Sequence, residues 1–311
     1  MQLYKSRTFS TYISDTFAFL KENGKHFYRN YFIVNGVFLL ILLVFTFIFS
    51  RIYGDLLFED VTSSSYDNSS LTFASGNELL FVVFSLLFVL VAACIGIINY
   101  AYTPLYFTLY DKNNGSNFSK NELFSALKKN LGKFFIFILA GIIVAIPVFI
   151  VVFIAAAILI VTIIGIPLIL IPLAWLAQFY FIAFIEYLQT DKGVFSCFSY
   201  SLNLSFTKFW STNGSVAIFY FMIQVVQGIV TLIPYIVGLG SIFMVPTDEA
   251  MDSSSSTAFF TMIVVVYMVS FFLNLFLLTV LQMNQSIIFY SLKEETENIH
   301  SKSVIDEIGN H

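Results

Sequence analysis

Between Lys133 and Glu186 lie 52 consecutive residues without a single Asp, Glu, Lys or Arg. As one straight helix they would run for about 78 Å at 1.5 Å per residue, far beyond the ~30 Å hydrocarbon core of a bilayer. As part of a soluble core they would need a polar face, and the stretch has none to offer. The chain must therefore cross a membrane and turn back within this stretch. The turn falls in "LIVTIIGIPLILIP" (Leu159–Pro172), where Gly165 and Pro167 supply the reversal and Pro172 predicts an early kink in the returning span.

The rest of the chain agrees. Of 311 residues 58% are hydrophobic and 11% charged, against about 25% charged in soluble domains. Six stretches satisfy the need for about 20 apolar residues per crossing: Phe32–Ser50, Leu79–Ala101, Phe134–Ile158, Ile163–Tyr187, Val216–Val237 and Phe259–Tyr290. The expected fold is all-α and polytopic, one membrane domain over 1–290 followed by a tail at 291–311. The last stretch exceeds a bilayer and is expected to tilt or project from it. The first apolar run follows about thirty charged and aromatic residues and lacks a small-residue cleavage site, so it reads as a retained span.

Basic residues orient such a chain. Fourteen of the fifteen fall before span one, between spans two and three, between spans four and five, or in the tail; only Arg51 lies opposite. The opposite loops, "GDLLFEDVTSSSYDNSSLTFASGNE" and "PTDEAMDSSSSTA", are acidic and serine-rich. Both termini are expected in the cytoplasm, in a plasma (bacterial inner) membrane.

Each pair of spans is preceded by a segment with helical apolar spacing, too polar to cross. Phe9, Ile13, Phe17 and Leu20 make the first stripe, Leu123, Leu127 and Leu131 the second, and Val194, Phe198, Leu202, Phe206 and Phe209 the third. Ser119 with Glu122 predicts a capping box at the start of the second. Leu20-Lys21 and Asn23 recur at the same offset as Leu127-Lys128 and Asn130, so the unit of interfacial helix plus hairpin reads as used three times. Such helices are expected to rest on anionic headgroups, each nearby lysine adding on the order of 1 kcal/mol.

Polar residues inside spans are functional candidates by default. Those singled out are Gln178, Glu186, Gln224, Gln227, Asn274, Gln282 and Gln285, with Asn99 and Asn284 also within apolar runs. Gln224 with Gln227, and Gln282 with Gln285, sit at i,i+3 and can share a helix face. Interhelical hydrogen bonding is the expected role, a polar-lined cavity the alternative. Glu186 has no basic neighbour at helical spacing and reads as an interfacial carboxylate reaching water, with proton coupling as the alternative. Pro147 lies within span three, Pro104 just beyond span two, and Pro234 at the end of span five.

No zincin, nucleophile-elbow, P-loop or dinucleotide motif occurs. Cys94, Cys197, His26, His300 and His311 have no metal-ligand spacing. No cofactor, metal or nucleic-acid partner is expected. The outer-loop carboxylates Glu59, Asp60, Asp67, Asp248, Glu249 and Asp252 read as solvated, and "NSS" at Asn68 matches a glycosylation sequon.

"FIEYLQTDKGVFSCFSYSLNLSFTKFW" (Phe184–Trp210), with "TYISDTFAFLKEN" near the start and "FYSLKEETENIHSKSVIDEIG" (Phe289–Gly309) at the end, resembles the polytopic membrane domain fused to some glycerophosphodiester phosphodiesterases and its free-standing bacterial relatives. The phosphodiesterase domain itself, with its acidic metal ligands and histidines, is absent from this sequence, so the resemblance implies a membrane layout and no enzymatic activity. The expected function is non-catalytic: an organising or accessory subunit of a membrane assembly, touching the bilayer and a membrane-protein partner. The alternative is a carrier or flippase-like protein for a lipid or small solute.

Overall fold

The computed structural model describes residues 1–62, 78–162, 165–244 and 253–299. They form eight helices and no strand: α1 (Phe9–Thr62), α2 (Glu78–Lys112), α3 (Lys120–Ile160), α4 (Gly165–Leu168), α5 (Leu170–Gln189), α6 (Val194–Phe206), α7 (Phe209–Met244) and α8 (Ser253–Glu297). All but α4 and α6 are long and apolar enough to cross a membrane. The chain is an all-α, multi-pass membrane protein, and its surface carries the matching signature. Phe135, Ile146 and Phe153 are exposed, the last at 74%, while Asn30, Gln178, Glu186 and Asn284 are buried. A water-soluble protein does the reverse with such groups.

The sequon at Asn68, the carboxylates Asp67, Asp248, Glu249 and Asp252, and the tail from His300 lie outside the described residues, as do the side chains of Arg51, Glu59 and Asp60.

The chain divides into two compact units. One comprises Met1–Val34, Tyr100–Gln224 and Phe276–His311. Fourteen of the fifteen basic residues belong to it. Its interior is aromatic: Phe19 stacks on Phe107 with ring centres 4.7 Å apart, Phe27 meets Tyr106 edge-on at 4.8 Å, and Tyr28 stacks on Phe276 at 4.3 Å. Buried aromatic rings of this kind each remove roughly 150–250 Å² from solvent. The other unit comprises Asn35–Asn99 and Val225–Leu275. Leu39, Leu42 and Ile95 are buried there, and Phe45 stacks on Phe84 at 5.8 Å.

Hydrogen-bond register fixes helix direction. Tyr12 meets Ser291 and Tyr28 meets Thr279, so α1 and α8 are antiparallel. Lys133 reaches the Tyr187 carbonyl while Tyr180 reaches that of Gly141, so α3 and α5 are antiparallel. Gln282 meets Tyr100 and Tyr290 meets Phe107, so α8 and α2 are parallel. Within this first unit α2 and α8 thus point one way and α1 the other.

The expected capping box is present: the Glu122 amide donates to Ser119 Oγ, and the Ser119 amide to Glu122 Oε1 at 3.0 Å. The tight turn between the third and fourth spans also forms, with the Gly165 amide donating to the Thr162 carbonyl at 2.9 Å. A Cβ at Gly165 would stand 1.9 Å from the Leu159 carbonyl oxygen, so only glycine fits.

Several details differ from expectation. The first two amphipathic segments are not separate helices: α1 and α3 run unbroken from them into their spans, because neither junction holds a proline and both stay packed on neighbours. The buried side of α1 is Tyr12, Thr16, Phe19 and Asn23, leaving Phe9 and Phe17 exposed. The third segment is a helix of its own, α6, but its stripe is split. Phe198 is buried with Cys197, Ser201 and Leu204 against α5, while Phe195, Leu202 and Phe206 face outward. Pro172 sits in the first turn of α5, where a missing N–H costs nothing, and so starts the helix rather than kinking it. Pro104 lies inside α2, which continues to Lys112.

Candidate functional site: a buried carboxylate beneath a polar cleft

Glu186 lies near the end of α5 with its side chain fully buried. It does not reach water. Its Oε1 accepts from Lys192 Nζ at 2.7 Å and its Oε2 from Lys293 Nζ at 2.9 Å. Lys192 comes from the turn after α5 and is half exposed; Lys293 comes from α8 and keeps only 11% of its side chain exposed. The buried carboxylate thus carries two ammonium partners, a geometry in which the charges compensate each other's desolvation. The Glu186 hydrogen bond holds the Lys192 ammonium above the usual lysine range.

The end of α5 is itself neutralised. Lys133 Nζ donates to the Tyr187 and Thr190 carbonyls, both at 3.0 Å, as cations do at helix C-termini. Gln189 Nε2 donates to Tyr290 Oη at 2.5 Å, and Tyr290 Oη in turn to the Phe107 carbonyl at 3.1 Å.

Beside this node opens a cleft of about 660 Å³ whose lining includes Asp111, Lys112, Glu122, Lys129, Thr190 and Lys293. Glu186 does not line it; Lys293 connects the two. Asp111 Oδ2 accepts from Tyr4 Oη at 3.0 Å, and burial followed by the Asp111 charge pushes the Tyr4 phenol far above its ordinary range. Glu122 is engaged by Ser119 in the capping box.

Other candidates are spread through the helices. Gln178 is fully buried and donates to the Gln285 carbonyl at 3.4 Å; Gln285 is buried beside it. Gln282 donates to the Tyr100 carbonyl at 3.5 Å. The Oε1 atoms of Gln178 and Gln282 have no donor among the described residues. Gln227 donates to the Ser270 carbonyl at 3.0 Å. Asn274 is half-buried. Gln224 is exposed on the flank of α7. The expected Gln224–Gln227 and Gln282–Gln285 pairs thus do not act as pairs.

Sequence reasoning missed Lys293, which it left in the tail, and Lys192 as partners of Glu186. Lys293 continues the α8 face of Ser286 and Tyr290 at helical spacing, a signal that was there to find. Asn284, one of the amides within an apolar run, does fasten helices: its Nδ2 donates to Thr16 Oγ1 at 3.0 Å while its amide exchanges hydrogen bonds with Ser215. Sequence reasoning did not find Arg7, buried and donating to the Gln2, Leu3 and Lys5 carbonyls and to Asp15 Oδ2 at 2.8 Å. Among the described residues, no group of His, Cys, Asp and Glu is arranged to hold a metal.

No protein-family model, curated protein or solved structure matches the chain.

Proposed function

We propose that this chain is a non-catalytic organising or accessory subunit of a membrane assembly, seated in a plasma (bacterial inner) membrane with both termini in the cytoplasm. Gln224 carries the reading. It lies near the middle of the fifth span, exposed among the exposed Phe221, Met222 and Val225, with no hydrogen bond among the described residues. An amide facing hydrocarbon gains roughly 1–2 kcal/mol from a polar group on a neighbouring helix, so this face suits a membrane-protein partner. Most other intramembrane amides are already spent on fastening the chain's own helices.

Orientation is supported by the concentration of basic residues in one unit, which the positive-inside tendency assigns to the cytoplasmic side. The exposed Phe195, Leu202, Phe206 and Trp210 on and after α6, with Lys192 and Lys208 nearby, suit a helix resting on anionic headgroups. The likeness to the membrane domain of glycerophosphodiester phosphodiesterases belongs to the same proposal, supported by the helix-plus-spans layout over 184–210.

The test is extraction into native-lipid nanodiscs with mass spectrometry of what is retained, for the natural chain and for Gln224→Leu. A stoichiometric protein partner lost in the variant, with the unfolding midpoint unchanged, is the expected result. Retention of one enriched lipid or solute without any protein would instead favour a carrier, the reading to which the polar cleft lends its weight. Reporter fusions at each terminus test orientation; activity of an exported reporter at either end would refute it.

A further inference from the structure

The cleft beside Glu186 is charged asymmetrically in a way that names its ligand. Five ionised side chains line it: Asp111, Glu122, Lys112, Lys129 and Lys293. One oxygen of each acid is engaged by a neutral donor, Asp111 Oδ2 by the Tyr4 hydroxyl and Glu122 Oε1 by Ser119, so the lining keeps three positive groups against two negative ones. Lys112 at the end of α2 and Lys129 in the first turns of α3 have no hydrogen bond or ion pair among the described residues. Lys293 gives one of its three protons to Glu186 and retains two. The negative end of α5, which would repel an anion here, is covered by Lys133.

Three ammonium groups from three different helices thus border one space. Lysine binds phosphate as a point charge, and a tetrahedral anion has enough oxygens to meet several such groups at once. A flat carboxylate is better served by the arginine fork, and the lining holds no arginine. The volume falls within the range of small-molecule sites and exceeds what inorganic phosphate alone would fill. The remaining walls are mixed: Thr108, Ser125, Asn130 and Thr190 offer partners to hydroxyls, and Leu109, Ala126 and Leu188 offer apolar contact to a carbon backbone. The carboxylates of Asp111 and Glu122 can accept from the same hydroxyls.

We propose that this cleft is a binding site for a polyol phosphate, such as glycerol phosphate, held by Lys112, Lys129 and Lys293, whether free in solution or as the headgroup of a phospholipid. This goes beyond the accessory role: it is a discrete site in the chain itself, present with or without a partner.

The experiment uses the full chain in nanodiscs of phosphatidylcholine, with and without phosphatidylglycerol. Calorimetry with glycerol 3-phosphate reads the soluble ligand; native mass spectrometry reads retained phosphatidylglycerol. The variant is Lys112→Gln with Lys129→Gln, both exposed and unpaired, so the fold does not depend on them. The control is Lys120→Gln with Lys128→Gln, exposed lysines of α3 outside the cleft. Saturable glycerol 3-phosphate binding, weakened at least tenfold by the cleft variant and less than twofold by the control, supports a soluble ester. Selective retention of phosphatidylglycerol with the same pattern, and no response to glycerol 3-phosphate, supports the headgroup. Binding of neither probe, or equal losses in variant and control, overturns the site.

Discussion

Replacing Lys293 with methionine should destabilise the protein far more than the same change at Lys192, although both lysines touch one carboxylate. The Lys293–Glu186 contact is 2.9 Å between a fully buried carboxylate and an ammonium 11% exposed. At an effective dielectric of about 20 the gross attraction is roughly 6 kcal/mol, and breaking a buried pair from one side commonly costs 3–5 kcal/mol. Lys192 remains as a partial counter-charge, so the expected loss for Lys293→Met is about 3 kcal/mol. The Lys192–Glu186 contact is shorter, 2.7 Å, but 48% of the Lys192 side chain is in solvent. There the gross attraction is nearer 1.5 kcal/mol at the dielectric of water, and the net loss for Lys192→Met should be about 1 kcal/mol or less.

Reversible unfolding in mixed micelles, followed by the fluorescence of Trp175 on the same helix as Glu186, measures both. Adding Glu186→Gln closes the cycles. The expected coupling is about 2 kcal/mol between Glu186 and Lys293, and under about 1 kcal/mol between Glu186 and Lys192. A Lys192→Met loss equal to that of Lys293→Met would refute the claim that burial, not distance, sets the worth of these pairs. So would a Glu186–Lys293 coupling below about 0.5 kcal/mol.

Gly165→Ala should cost about 3 kcal/mol, the upper end for overpacking, because the added carbon would stand 1.9 Å from the Leu159 carbonyl oxygen; near-natural yield and unfolding midpoint would show that the turn tolerates a side chain. Arg7→Lys should lose about 3 kcal/mol, since one ammonium cannot serve three carbonyls and Asp15 together, and limited proteolysis should then cut within the first eight residues. At alkaline pH stability should fall. Burial, and then Asp111 for Tyr4 and Glu297 for Tyr200, hold both phenols above their ordinary value near 10, so the unfolded chain ionises first. Lys192, raised by Glu186, acts in the same sense, its contribution intact below its ordinary value and lost as pH rises through the raised one. An unfolding midpoint that holds constant from pH 8 to beyond about 11 would contradict this sign.

The membrane class and the span positions were legible because hydrocarbon imposes one requirement on every residue of a span, and composition records it directly. The capping box and the Gly165 turn were legible because both depend on residues three to six apart. The helix limits were not. Spans were cut to bilayer thickness, whereas α1 extends from Phe9 and α8 to Glu297 because packing, not lipid, supports their ends. Glu186 is illegible for a related reason: one partner lies 107 residues away, on a segment that the sequence reads as a tail. Long-range ion pairs leave no periodic trace.

Pro104 and Gln282 show how the fold sorts these polar groups. A proline within a helix withholds the N–H that the carbonyl four residues earlier would accept. For Pro104 that carbonyl is Tyr100, and it is the one Gln282 Nε2 approaches. Two residues that look functional alone, a proline in a span and a glutamine in another, therefore account for each other. The same reasoning retires Gln227 and Asn284, each committed to a neighbouring helix, the Nε2 group of Gln178, and Glu186, committed to two lysines. It does not retire Gln224, which faces outward among apolar side chains, nor Lys112 and Lys129, which border a cleft and have no ion pair among the described residues. Polar groups that the fold itself has no use for are where an external ligand or partner has to be sought, and these three lie on two separate surfaces. A partner bound through Gln224 and a phosphate bound through the lysines should therefore be separable by mutation, Gln224→Leu abolishing the first while leaving the second intact.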